Sequence, residues 1–394
     1  MSGITAADDH MFPPSLMHMQ QLPSADSPRS TIAPRWRSLH GADGWAGLLD
    51  PLDSDLHREL LCYADFVQAA YQAFHSLPTA SARHRGLMLP DGSYRPTRSL
   101  IATSALSMPP PRHNTPEWLT QQSSWIGYVA VCESEREVAR MGRRDIAVVL
   151  RGTATCLEWA ENLRASLEES KPKVARGFLS LYKTAGANVK SLSEEVMEEV
   201  RRLMDKYKGE ELSITVVGHS LGAALALLVA DEVAASIPDA PPVAVLSFAG
   251  LKVGNAAFAD RLTGSGKVNV LRIVNAGDVV PGVAPRQPHE KGQYHHVGAE
   301  LRIDSKNFPC LRPDAWSECR HDLEAYLHDG FTGTGRPFRH DARRSVIRLL
   351  PLQRGNAKKE YVNRARELGV DPAAPADVGR SMAYSNCDVA SPSS

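Results

Sequence analysis

Cysteine is scarce and scattered: Cys62, Cys132, Cys156, Cys310, Cys319 and Cys387 include no C-x-x-C pair. That spacing fits neither a zinc site nor a disulfide-dense secreted scaffold, so the thiols read as reduced and mostly structural. A surplus of either charge is missing too, because 45 Lys and Arg balance 45 Asp and Glu. No global field draws the chain to nucleic acid or to an anionic bilayer, and any such contact has to be local. The longest apolar run, Leu221 to Ala230, stops at Asp231-Glu232, well short of the roughly 20 residues a membrane-spanning helix needs. No basic start with an apolar core marks a secretory signal, and no internal repeat is visible. The expectation is a soluble or peripheral protein without an integral membrane segment.

What the chain has is core. At 394 residues and 43% hydrophobic it can bury an enzyme-sized interior. Residues 1–34, rich in Pro, Ser, Met and His, read as a disordered tail or a transit segment; Asp8, Asp9 and few early arginines weigh against the latter. A single domain is expected over 35–350, followed by a partly disordered extension over 351–394. A helix starts near Ser54, with Leu56, Leu60, Tyr63, Val67, Tyr71 and Phe74 as its buried stripe. Pro90-Asp91-Gly92 marks a turn between extended segments, and "SWIGYVAVCESEREVARMGRRDIAVVLRGT" reads as two strands joined by a charged loop. Beyond it comes a mostly helical section to 207, then strand 212–217, helix 221–236, strand 243–249, helix 254–262 and strand 268–274. That alternation predicts an α/β fold with a mostly parallel central sheet covered by helices.

The stretch "TVVGHSLGAAL" runs a strand into a helix through Gly218-His219-Ser220-Leu221-Gly222. Gly-x-Ser-x-Gly alone is weak, but here it has a strand before it and a helix after it. A turn this sharp needs small residues at 218 and 222, and it holds the Ser220 hydroxyl above the sheet at a helix N-terminus. A nucleophile needs an acid, a base and an oxyanion hole. Asp278, after strand 268–274 and the turn Asn275-Ala276-Gly277, lies where the acid is expected, although a loop or capping aspartate would look the same. The base has candidates in His289, His295, His296, His321, His328 and His340. His321 opens "HDLEAYLH", a rigid helical mount, and His328 is its main competitor. The backbone N–H of Leu221 and a second donor at Thr153, where "DIAVVLRGT" ends a strand, would form the oxyanion hole.

With "RGT", "GHSLG", "VNAGDVVP" and "HDLEAYLH" in this order, the chain resembles the class 3 (fungal-type) lipases, and within them the plant phospholipase A1 family related to the anther-dehiscence lipase. "WRSLHGADGWAGLLDPLDSDLHREL", "RRDIAVVLRGTATCLEWAENLRASL" and "RGFLSLY" extend the resemblance from about residue 36 to 330. It implies an α/β-hydrolase fold with an N-terminal helical extension and a lid, and Ser220, Asp278 and His321 as nucleophile, acid and base. It also implies Thr153 and Leu221 as oxyanion donors, no metal or other cofactor, and membrane glycerolipids or lipid droplets as the substrate surface. The implied reaction is hydrolysis of the sn-1 acyl ester of phosphatidylcholine, and also of galactolipids or triacylglycerol, with fatty acid released for jasmonate synthesis. The implied location is a plastid, with the cytoplasm as the alternative.

Trp159, Leu163 and Leu167 fall at four-residue spacing after the oxyanion strand and form the lid candidate; a stripe packed permanently in the core would have the same spacing. The basic run "RPFRHDARRSVIR" at 336–348 could touch anionic headgroups or simply be a solvated face. Three rival functions fit the same residues: a carboxylesterase for soluble esters, a catalytically silent lipase-like binding protein, and a serine peptidase, which shares the chemistry. The sequence carries no sign of oligomeric state.

Overall fold

The computed structural model describes residues 30–76, 87, 89, 92–106, 122–153, 173–282, 294–305 and 320–328. The frame is a seven-stranded sheet whose strands lie side by side in chain order: β1 (Tyr94–Thr103), β2 (Ser123–Cys132), β3 (Arg144–Leu150), β4 (Leu212–His219), β5 (Val243–Phe248), β6 (Val268–Asn275) and β7 (Ala299–Ile303). The first three pair antiparallel. From β3 to β7 every pairing is parallel, as the strand and helix alternation requires. β3 and β5 are buried at every position, as strands covered on both faces are.

The helices are α1 (Ser54–Ser76), α2 (Glu135–Met141), α3 (Arg176–Lys183), α4 (Leu192–Lys206), α5 (Leu221–Ser236), α6 (Ala256–Gly264) and α7 (Leu323–His328). Parallel strands in sequential order with right-handed crossovers send each connecting helix to the same side of the sheet. The packing follows: Phe178 of α3, Val196 of α4, Leu225 of α5 and Phe258 of α6 share one core with Ile146, Val148, Val216 and Val245. The strand residues between these point the other way, and Ala147, Val149, Val217 and Leu246 need a different cover. It comes from the chain ends: Leu60, Val67 and Phe74 of α1 and Leu323, Tyr326 and Leu327 of α7 complete the second core. The N-terminal helical extension is therefore part of the cover of the sheet's second face.

Two boundaries differ from expectation. The charged loop between β2 and β3 contains helix α2, capped where the Ser134 side chain accepts the Glu137 N–H and closed at Gly142 with φ 72°. The Ser-x-x-Glu cap and the terminal glycine were both in the sequence, but a seven-residue helix shows too little periodicity to stand out among charges. The helix expected at 254 starts at Ala256, because the Asn255 side chain accepts the Phe258 N–H and caps it there. Trp159, Leu163, Leu167, His289, His340 and the basic run at 336–348 lie outside the described residues, as does the side chain of His328. Neither Cys62 nor Cys132 is in a disulfide. Among the described residues no helix is long and apolar enough to cross a membrane.

Candidate active site

The turn between β4 and α5 has the geometry its glycines demand. A Cβ on Gly218 would sit 2.3 Å from the Gly222 backbone, and one on Gly222 would sit 2.3 Å from the Leu150 carbonyl oxygen. No larger residue fits either place. Between them Ser220 adopts φ 55° and ψ −119°, a conformation that costs a side-chain-bearing residue on the order of 1–3 kcal/mol. Hydrogen bonds hold it there: the Ser220 N–H donates to the Phe248 carbonyl at 2.9 Å, and its own carbonyl accepts from Ala223 and Ala224. A strained strand-to-helix turn at the carboxyl ends of parallel strands is the geometry that exposes a nucleophile in α/β-hydrolases.

Three separate elements meet at the serine. His321 Nε2 lies 2.9 Å from Ser220 Oγ, and His321 Nδ1 lies 2.8 Å from Asp278 Oδ2. A carboxylate accepts, so Nδ1 carries the proton and Nε2 is left to take the one from the Ser220 hydroxyl. Asp278 stands after β6 on the turn Ala276-Gly277, where Gly277 has φ 84°. Its Oδ1 accepts the Val280 N–H at 2.9 Å. Its side chain is 0% exposed, against 15% for that of His321, so the pair is shielded from water on the aspartate side and open on the serine side.

His321 is held through its main chain. The Arg320 carbonyl accepts from Asn275 Nδ2 at 2.9 Å, and the same Asn275 side chain also binds Ser305 through Oγ and through the backbone N–H. The last residue of β6 thereby ties the histidine segment to the end of β7. Tyr326, five residues after His321, donates its hydroxyl to Asp278 Oδ2 at 2.6 Å and accepts the Asn275 N–H at 3.2 Å. Burial, and then the charge of Asp278, raise the Tyr326 phenol well above its usual range, so it stays a donor.

The loop after β3 is fixed on both sides of one residue, Gly152. Arg151, fully buried, stacks over Phe74 at 4.0 Å and donates to the Gly152 carbonyl at 2.7 Å, to the Trp125 carbonyl and to Ser124 Oγ. In a trans peptide the N–H points opposite to the carbonyl, so locking the Gly152 oxygen sets the direction of the Thr153 N–H. The Gly152 N–H is itself taken up by the Tyr71 hydroxyl at 2.8 Å. Gly152 lies against Ser220, since a Cβ there would come 3.1 Å from the Ser220 Cβ. Leu221 is the first residue of α5, and its N–H has no carbonyl four residues back within the helix.

The structure thus brings Ser220, His321, Asp278 and the Gly152-Thr153 loop together, with Gly218, His219, Leu221 and Gly222 forming the turn. Tyr326, Asn275, Arg151 and Tyr71 were not anticipated as parts of the site. Tyr71 sat in the apolar stripe of α1 and read as core, and Tyr326 was not singled out within the short helix that follows His321. Their only sign was the polar atom each carries into a buried position. Among the described residues no group of three or more His, Cys, Asp or Glu side chains is arranged to hold a metal ion.

Residues 147–287 match the family model described as Lipase (class 3). The chain is 41% identical over 388 residues to Phospholipase A(1) DAD1, chloroplastic, of Arabidopsis thaliana, across 84% of this chain and 86% of that protein. It is 38% identical over 362 residues to Phospholipase A1-II 7 of Oryza sativa subsp. indica, across 80% and 87% respectively. A crystal structure of the lipase from Rhizopus microsporus var. chinensis aligns with a TM-score of 0.45 at 22% identity, covering 64% of this chain and 75% of that one. On the strength of the sequence relatives, the chain belongs to the class 3 lipases, and within them to the plant phospholipase A1 family of acyl-ester hydrolases acting on lipids.

Proposed function

We propose that the protein is a phospholipase A1 that cleaves the sn-1 acyl ester of glycerolipids through an acyl-enzyme on Ser220. The observation that carries this is the continuous path from Ser220 Oγ through His321 to Asp278, at 2.9 and 2.8 Å, on an elbow that keeps the hydroxyl at the sheet edge. His321 takes the serine proton as Oγ attacks the ester carbonyl, and Asp278 stabilises the imidazolium that forms. The N–H groups of Leu221 and Thr153, with the Thr153 hydroxyl, bind the oxyanion. The alcohol departs with the proton from His321, and the same imidazole then activates water to release the fatty acid.

Support for a lipid-facing mouth comes from Val279. Among the described residues it is the large hydrophobic side chain that stands exposed, at 60%, and it is the direct neighbour of Asp278. Trp159, Leu163 and Leu167 would extend that apolar rim as a lid, and replacing Trp159 by a polar residue should then abolish the preference for aggregated over monomeric substrate. The substrates are phosphatidylcholine first and plastid galactolipids second. A plastid location is supported by relatives named as chloroplastic, and supply of fatty acid for jasmonate synthesis by family resemblance alone.

The deciding experiment measures fatty acid released from phosphatidylcholine and monogalactosyldiacylglycerol labelled separately at sn-1 and sn-2. Release from sn-1 by wild type, absent in Ser220→Ala, is the expected result. Release from sn-2 alone would overturn the positional assignment, and activity confined to short soluble esters would make the protein a carboxylesterase.

A further inference from the structure

His219, the residue before the serine, has its ring between two parts of the site that must be in register. Its Nε2 lies 2.8 Å from the main-chain oxygen of His321, and its Nδ1 lies 2.8 Å from the Tyr71 hydroxyl. That hydroxyl in turn accepts the Gly152 N–H at 2.8 Å. In the neutral ring every bond has one direction. The His321 carbonyl can only accept, so Nε2 carries the proton; Nδ1 then accepts from Tyr71, whose oxygen keeps a lone pair for Gly152. The His219 and His321 rings lie 4.9 Å apart between centroids.

The chain of bonds starts at the loop bearing Thr153 and ends at the backbone of His321. The two segments it joins come from positions 169 residues apart, Gly152 and His321. One of its two middle members, Tyr71, belongs to α1, the N-terminal helix that covers the second face of the sheet. Tyr71 also occupies the space that keeps residue 152 a glycine, since a Cβ there would come within 2.2 Å of its hydroxyl.

We propose that Tyr71 and His219 are positioning residues, a hydrogen-bonded clamp that sets the oxyanion loop and the catalytic histidine in register with each other and makes their alignment depend on the N-terminal helix. The inference rests on the roles given above to His321 and Thr153. A clamp differs from two residues that merely satisfy buried polar atoms in being a series connection: cutting it at either residue disconnects both ends.

The test uses the full chain with Tyr71→Phe, His219→Phe and the double variant. The expected result is a fall in kcat of roughly 10- to 100-fold in each single variant with KM within about twofold, as for a reacting group slightly misplaced. The double variant should fall no further than the worse single one. Hydrogen exchange, read on the same proteins without substrate, should quicken together at 150–153 and at 320–322 when either residue is changed. Wild-type kcat in both single variants, losses that multiply in the double variant, or faster exchange in only one of the two segments would overturn the clamp. Ser220→Ala in the same assay separates the two ideas: a wild type as inactive as Ser220→Ala refutes the proposed reaction, while exchange still decides the clamp. Should His219→Phe not fold, Tyr71→Phe alone decides by whether both segments respond.

Discussion

Two buried carboxylates mark the two ends of the parallel strands, and they are built differently. At the amino end, Asp145 of β3 accepts four hydroxyls: Tyr63 at 2.9 Å, Tyr94 at 3.1 Å, and Ser213 and Thr215 at 2.7 Å each. Arg143 is bound to two of those donors, Ser213 and Tyr63. At the carboxyl end, Asp278 accepts from one backbone N–H, one tyrosine and one histidine. Every donor to Asp145 is a hydroxyl with no reason to give up its proton; burial and the carboxylate push the Tyr63 and Tyr94 phenols well above their usual range. One donor to Asp278 is an imidazole, a group able to act as a base, and its far nitrogen faces Ser220. Burial of a carboxylate therefore does not distinguish a structural knot from a reactive site. The titratable partner, and the strained serine beyond it, do.

The comparison breaks most sharply under isosteric replacement. Asp278→Asn should lower kcat by about 10⁴-fold, through loss of the correct His321 tautomer, with little change in unfolding midpoint. Asp145→Asn should do the reverse, costing roughly 3 kcal/mol or more by leaving buried donors and Arg143 mismatched, while the protein that remains folded keeps its kcat. Urea unfolding and active-site-normalised turnover on both variants check the pair. If Asp145→Asn loses turnover as severely as Asp278→Asn, the division between knot and site is wrong.

A smaller effect is expected at the oxyanion loop. Thr153→Val keeps the backbone N–H and deletes the hydroxyl, so turnover should fall on the order of 10²-fold if the hydroxyl is a donor to the oxyanion. A change under threefold would leave the backbone N–H as the sole donor from this residue. Smaller again is Tyr326→Phe. One hydrogen bond to a charged acceptor is lost while the His321 contact remains, and a drop in kcat of about tenfold is expected. No drop would mean that Tyr326 only fills the second core.

The sheet, the elbow and the three proposed catalytic groups were legible because each rests on a local signal. β4 and α5 are bounded by the glycines of the turn, and Asp278 follows a strand end. The resemblance narrowed six histidines to His321, and the geometry gives the physical reason: its segment is tied by Asn275 to the ends of β6 and β7. The supporting residues were not legible. Tyr71 reaches Gly152 across 81 positions and Tyr326 reaches Asp278 across 48; in the sequence each is an aromatic residue on a helix face, indistinguishable from its apolar neighbours. The role of α1 was half visible. Its stripe announced burial, whereas its task of covering the face that right-handed crossovers leave open follows only from the order of the strands.

The smallest expected effect belongs to the amino end and concerns pH. His40 is buried, with Nε2 3.1 Å from Thr215 Oγ1; the Thr215 hydroxyl donates to Asp145, so its oxygen accepts from His40. Burial, and then the positive charge of Arg143, hold the His40 pKa well below the usual histidine range. In the unfolded chain His40 takes a proton near pH 6.5, whereas in the folded protein it stays neutral. Its contribution is therefore complete above about pH 6.5 and declines as pH falls below that, by at most about 1.4 kcal/mol per pH unit. His296, lowered to about 4 by burial and by Arg272 and Lys252, acts with the same sign. His40→Gln keeps a donor for Thr215 and removes one of the two titrations, so the variant should lose less stability than wild type between pH 7.5 and 5.5. Equal losses in the two proteins would show that the knot around Asp145 tolerates a charged His40, and the contrast between a sealed end and a proton-exchanging end would then rest on the carboxylates alone.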